Sequence, residues 1–314
     1  MALPPKYASL EKRLGRALLS ERLHRQASHY ARLSHQGEGA FKLEKYIPLD
    51  RLAELGLTVL GLKGRARRNI HAHEIVEQIW HLPRLPKAFD GFRLLQLTDL
   101  HIDIDATLAD TIAAKVRETP HDACVFTGDY RNSTDDDYGP SMRLMAPVLE
   151  AVSSQRWGIL GNHDFIEEVW ALEEAGLPVL LNESACLTRG VERLWIAGVD
   201  DEHFYGVADF AKARADVPDD DCCVLLCHSP EPHPKAAQHG FDLMLSGHTH
   251  GGQLCLPGGR HVVCPVKNLS GAFIKGRWLS GAMPGYTSRG TGSCGIPARL
   301  NCPPEITVHV LRCG

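Results

Sequence analysis

Five short apolar runs in this chain each stop at side chains of the kind that bind metals, and that repetition constrains the fold more than any other feature. FRLLQLT (92–98) runs into Asp99-Leu100-His101, ACVFT (123–127) into Gly128-Asp129, and WGIL (157–160) into Gly161-Asn162-His163-Asp164. VLLC (224–227) stops at His228, and DLMLS (242–246) at Gly247-His248-Thr249-His250. Short apolar runs separated by helical or irregular stretches predict the strands of an α/β or α+β layered domain. In such domains the loops at strand ends form the ligand crevice, so polar clusters far apart in sequence can converge there. DLH alone reads as a cap and GD alone as a turn; the ordered series of five points to a single site.

The inventory at these ends is two Asp, one Asn and several His, with no thiolate. Hard and borderline donors of this kind suit divalent Mn, Fe or Zn better than they suit a cysteine cage. Seven candidate ligands are too many for one open ion, and a carboxylate can bridge two. In an extended segment Asp99 and His101 point the same way and can grip one ion, while a tight loop can send His248 and His250 to different ions. The glycines before Asp129, Asn162 and His248 fit sharp turns and close approach of backbone to the site.

The series DxH, GD, GNHD, H and GHxH resembles the calcineurin-like metallophosphoesterase superfamily, over about residues 75–312. GHTHGGQ (247–253) and IPARLNCPPEITVHVL (296–311) are similar to the bacterial branch that includes YkuE-like phosphohydrolases and a UDP-2,3-diacylglucosamine pyrophosphatase. The resemblance implies an α/β fold of two facing mixed β-sheets flanked by helices, with a dinuclear site at one edge. It implies that Asp99, His101 and His250 hold the first ion, that Asn162, His228 and His248 hold the second, and that Asp129 bridges. His163 would be the catalytic histidine, oriented by Asp164. Tyr130-Arg131 after GD departs from the family pattern, and Arg131 with Asn132 is the candidate contact for a substrate phosphate. Two divalent ions about 3.5–4 Å apart would acidify a bridging water, align it for in-line attack and neutralise charge on phosphorus, with manganese the first choice and Fe, Zn, Co or Ni also accepted by these donors.

The expected reaction is hydrolysis of a phosphoester or pyrophosphate bond, in a phosphorylated small molecule or a lipid-linked substrate such as UDP-2,3-diacylglucosamine. A phosphodiesterase for cyclic nucleotides or nucleic acid is the alternative, although no interleaving of aromatic and basic residues supports nucleic acid. A non-catalytic scaffold is a third reading, and the intact ligand series argues against it.

Ahead of the runs lies a segment of different character. Residues 1–90 hold 16 Lys and Arg against 9 Asp and Glu, although the 314-residue chain as a whole has a formal charge of −4. We read residues 1–70 as a basic helical extension and 71–314 as the catalytic domain. Residues 8–33 predict a helix whose apolar faces do not coincide (Leu10, Leu14, Ala17 and Leu18 against Leu19, Leu23, Tyr30 and Leu33), so either the helix touches two neighbours or it breaks near Ser20. A joint is expected at 37–41 and a second helix over 49–62. Such a head can meet an anionic membrane or simply cap the domain. No apolar stretch is long enough to span a bilayer and the first residues lack a secretory signal, so the expected location is cytoplasmic, peripheral to the inner face of the membrane. The ten cysteines form no CxxC pair and are expected to be mostly buried thiols. The run RLWIAGV reads as another strand ending at Asp200-Asp201, a pair that can stand beside the site or form a solvated turn, with the turn expected; Tyr205, Arg289 and the Gly-rich stretch 285–295 are further candidates for a substrate pocket.

Overall fold

The computed structural model describes residues 4–34, 49–134, 137–261, 266 and 269–314. The head forms α1 (Ala8–Leu14), α2 (Arg16–Ser34), α3 (Leu49–Val59) and α4 (Lys63–Arg68). The first helix does break, at Gly15 and not near Ser20: Gly15 takes φ 81°, a conformation that costs glycine nothing. The joint expected at 37–41 lies outside the described residues.

Eleven strands follow among the described residues: β1 (Glu74–Leu82), β2 (Phe92–Leu97), β3 (Ala123–Phe126), β4 (Gln155–Gly158), β5 (Glu183–Arg189), β6 (Glu192–Gly198), β7 (Cys222–Leu226), β8 (Leu243–Ser246), β9 (Gly276–Ser280), β10 (Met283–Thr287) and β11 (Glu305–Cys313). Between them run α5 (Leu108–Glu118), α6 (Gly139–Ala151), α7 (Glu168–Glu174), α8 (Phe210–Arg214) and α9 (His233–Ala237). One sheet has the order β1-β11-β2-β3-β4 and the other β5-β6-β7-β8-β10-β9. β2, β3 and β4 are mutually parallel, as are β6, β7, β8 and β10.

The two sheets face each other, which explains why the central strands read as unbroken apolar runs. A strand covered on both faces must be apolar on both. Leu94, Val125, Ile196, Val224 and Leu245 fill the space between the sheets. Their chain neighbours point the other way: Leu95 and Cys124 meet α5, α6 and α7, and Leu225 and Met244 meet α8 and α9. The result is four layers, helix, sheet, sheet and helix. α1 and α2 join the outer layer over the first sheet through Leu10, Leu14 and Leu19. α3 and α4 instead set Leu57 and Ala66 on Ile296 and Ala298. The nine cysteines among the described residues are free thiols.

Candidate metal centre

The carboxyl ends of β2, β3, β4, β7 and β8 open on one crevice, and all seven expected ligands meet there. His101 Nε2 lies 3.1 Å from His250 Nε2, which is 3.4 Å from Asp99 Oδ1. His228 Nε2 lies 3.1 Å from Asn162 Oδ1 and 3.2 Å from Asp129 Oδ2, and that same Asp129 oxygen is 3.6 Å from His101 Nε2. Asp129 therefore sits between two donor groups, Asp99-His101-His250 and Asp129-His228-His248, each compact enough to surround one ion.

Aiming these side chains inward costs backbone strain. Asp99 (φ 52°), His101 (39°), Asp129 (58°), His248 (68°) and His250 (51°) all take left-handed backbone, which non-glycine residues adopt rarely and mostly at functional sites. Space is limiting as well. A Cβ on Gly161 would collide with the Asp129 carboxylate, and one on Gly247 with Asp99 and Thr98, so only glycine lets these loops close on the carboxylates.

A layer of fixed partners holds the donors. His101 Nδ1 bonds the Arg131 carbonyl at 2.8 Å and His228 Nδ1 the Thr127 carbonyl at 2.8 Å, which turns each Nε2 toward the centre. The His248 backbone N–H donates to Asp99 at 2.9 Å. Beneath them, Trp80 Nε1 donates to His309 Nδ1 (3.0 Å), His309 Nε2 to Gln96 Oε1 (2.9 Å), and Gln96 Nε2 to Thr127 Oγ1 (2.9 Å) and the Ser246 carbonyl (3.2 Å). That chain of bonds ties together the ends of β2, β3 and β8, where Asp99, Asp129 and His248 begin.

The electrostatics of His101, His248 and His250 suit a cation, while at His228 burial is outweighed by Asp129, which raises it to about 10 in the absence of one. Burial, together with neighbouring His163, holds His101 down at about 3, and burial drives His248 and His250 well below the usual imidazole range. All three are neutral lone-pair donors near pH 7. His248 Nε2 is buried without a hydrogen-bond partner, and a buried polar atom in that state calls for a ligand. Burial raises Asp99 to about 6. Asp129 stays ionised: burial opposes its charge, but His228 and His163 hold it well below the carboxylate range.

His163 is set beside this cluster. Its backbone N–H donates to Asp129 Oδ1 at 2.9 Å, and its Nδ1 bonds the Asn132 carbonyl at 2.7 Å. Two expectations are corrected here. Asp164 does not touch the His163 ring; its buried carboxylate accepts the backbone N–H groups of Asp129 (2.7 Å), Tyr130 (2.9 Å) and Gly161 (2.8 Å) and so builds the loops beneath the ligands. Arg131 is not open to substrate either. Its guanidinium is buried 2.9 Å from Glu168, stacks on Phe165, and donates to the His163 carbonyl at 3.0 Å. Asn132 Oδ1 accepts from Gly295 N at 2.8 Å, clasping the 290–295 loop, and that loop brings Cys294 Sγ to 3.7 Å from His163 Nε2.

Comparison with known proteins agrees with this geometry. The calcineurin-like phosphoesterase family model matches residues 92–252. The chain belongs to that family. It is 31% identical over 273 residues to the uncharacterized metallophosphoesterase YkuE of Bacillus subtilis, covering 83% of this chain and 93% of that one. It is 29% identical to the phosphodiesterase YaeI of Escherichia coli, over 69% of this chain and 81% of the relative. A zebrafish (Danio rerio) transmembrane protein with a metallophosphoesterase domain is 29% identical over 82% of this chain and 60% of its own length. This member of the family is a metal-dependent phosphoester hydrolase, and its fold of two mixed sheets flanked by helices is the expected one.

Sequence reasoning missed Cys294 and His203, both beside the centre. His203 follows the Asp200-Asp201 pair, which is buried and not solvated; an acidic pair ending a sixth strand was the available signal. Tyr205 is fully buried, its ring stacked against Arg22, and Arg289 is paired with Glu305 and Glu74.

Proposed function

We propose that the chain holds two divalent cations, manganese first among them, and cleaves a phosphoester or pyrophosphate bond by direct attack of water. Asp99, His101 and His250 would hold one ion, Asn162, His228 and His248 the other, with Asp129 shared. The observation that carries this reading is Asp129 Oδ2, within 3.6 Å of His101 on one side and 3.2 Å of His228 on the other. Divalent ions in such a site supply Lewis acidity, acidifying water and offsetting charge on the phosphoryl oxygens. His163 keeps its ring orientation through Asn132, and its Nε2, 3.7 Å from Cys294 Sγ, would give a proton or hydrogen bond to the leaving group. Arg131 and Asp164 serve as positioning residues, fixing the loops of His163 and Asp129.

For the substrate we infer an amphiphilic, lipid-linked phosphate or diphosphate of the UDP-2,3-diacylglucosamine type, met at an anionic membrane face. Support comes from α3, which with the turn after it leaves Leu55 (60% exposed), Val59 (77%) and Leu60 (70%) outward while its other side rests on Ile296 and Ala298, just beyond Cys294 on the loop beside His163. Lys63, Arg65, Arg67 and Arg68 lie exposed next to it. No helix among the described residues is long and apolar enough to cross a membrane, so this contact would be peripheral.

Metal analysis and kinetics of Asp129→Ala and His163→Ala test the centre. D129A is expected to lose at least one ion. H163A should keep both and lose about 10²-fold in turnover. A single ion in the wild type under saturating Mn, or equal metal loss in the two variants, overturns the assignment. Assays on UDP-diacylglucosamine, cyclic nucleotides, bis-p-nitrophenyl phosphate and p-nitrophenyl phosphate test the substrate class; turnover of the diesters alone would favour the phosphodiesterase reading.

A further inference from the structure

β6 runs parallel to β7, so its carboxyl end opens on the same crevice as His228. The loop that follows is tightly built. Asp201 accepts the backbone N–H groups of His203 (3.2 Å), Phe204 (2.7 Å) and Tyr205 (2.9 Å), and Asp200 is fixed by Asn182 (3.1 Å) and by the buried Arg22 (3.3 Å). This scaffold sets the His203 ring 4.1 Å from the ring of His248. His203 Nδ1 is hydrogen-bonded to Glu231, whose carboxylate also accepts from Ser229 Oγ at 2.9 Å. Ser229 follows directly on His228 and Glu231 two residues later, so the support is anchored close to a residue of the centre itself.

A carboxylate on one nitrogen fixes an imidazole's tautomer and orientation, and leaves the other nitrogen as a lone-pair donor; this is the usual support of a metal-bound histidine. One ligand atom from each of His203, Glu231 and His248 lies within 4.8 Å of the others, and this group shares His248 with the Asp129-His228-His248 group. The neighbour, His248, is the one whose buried Nε2 has no hydrogen-bond partner. His203 retains about a quarter of its side chain exposed, so it borders the reaction space and is not sealed in the core.

We propose that His203, oriented by Glu231, is a further ligand of the cation shared by Asp129, His228 and His248. The proposal rests on the two-cation reading above and adds a donor from a sixth strand end.

The test is titration of full-length, chelator-stripped protein with Mn(II), followed by EPR and elemental analysis, for wild type, His203→Ala and Glu231→Gln. Wild type should bind two ions. H203A should weaken one of the two affinities by at least 10-fold and leave the other within about twofold, with the spin-coupled two-manganese signal moved to higher Mn. E231Q should weaken the same ion by a smaller factor, as expected for an outer partner. Thermal midpoints of the metal-free proteins should agree. If H203A binds both ions as wild type does, or if wild type binds a third ion that H203A alone loses, the shared-ligand proposal is overturned while the two-cation reading stands. Fewer than two ions in wild type overturns both.

Discussion

In α1 and α2 Arg13 and Arg22 face inward onto acidic partners, whereas the cations of α4 face outward beside an apolar helix. Arg13 binds Glu173 at 2.8 Å and Glu183 at 2.6 Å, and Arg22 is fully buried against Asp200, Gln26, the Asp164 carbonyl and the Tyr205 ring. Among the described residues, Arg65 and Arg68 have no ion pair, and Lys63 and Arg67 have partners at 3.2 Å (Glu54) and 3.6 Å (Asp105). Two stretches of similar composition thus do different work. The basic charge of α1 and α2 complements the acidic body and reaches the loops of the metal centre, so for these helices the cap reading describes what is seen. The charge of α4 lies exposed.

The comparison can be broken at its strongest point with Arg22→Ala. Removing one partner of a buried pair leaves Asp200 uncompensated, and a loss of about 3–5 kcal/mol of stability is expected in denaturant unfolding. A loss below 1 kcal/mol would mean that α2 is not anchored by this residue. Lysine should not rescue, because it cannot serve Asp200, Gln26 and the Asp164 carbonyl together.

The junction between the two regimes is next in size. His73 sits between α4 and β1, and its Nε2 donates to the Thr291 carbonyl at 2.9 Å; burial lowers its pKa to about 4. The folded value lies below the unfolded value of about 6.5, so the stabilisation is complete above pH 6.5 and is lost as pH falls toward 4, by up to about 3 kcal/mol. Unfolding free energies of wild type and His73→Asn across pH 4–7 should converge toward the acid end. A constant gap would refute the assignment.

For α4 the expected outcome is in binding, not stability. Arg65→Ala with Arg68→Ala should weaken flotation with anionic vesicles by about 2 kcal/mol, roughly 30-fold, at low salt, with unchanged unfolding. A wild type that ignores anionic vesicles and floats no better than the double variant removes the membrane reading of this surface. The smallest effect belongs to Arg13→Ala, whose ion pairs are partly solvated and should be worth about 0.5–1 kcal/mol in the same unfolding assay.

Much of the centre was legible because strand and ligand signals are local. An apolar run buried on both faces and a His or Asp at its end are written in consecutive residues, so the five strand ends and seven donors could be read from the chain. The roles of Asp164 and Arg131 were misread for the opposite reason. Both are polar residues next to a functional one, and only their burial, Asp164 under three backbone N–H groups and Arg131 against Glu168, separates a loop-building part from a substrate contact. The helix break fell at Gly15 because backbone conformation, φ 81°, decided it, while the offset between apolar faces showed only that the helix turned.

By itself, the sequence determined the kind of chemistry: donors of the right hardness, in order, at the ends of strands whose periodicity requires two covered faces. The tertiary structure decided which of those groups share an oxygen, which cations are buried, and that Asp200-Asp201 carries His203 to the centre. Those outcomes depend on contacts between residues far apart in the chain, Arg22 with Asp200 and His203 with His248 among them. Burial turns a surface turn into a rigid support, and no local pattern encodes it.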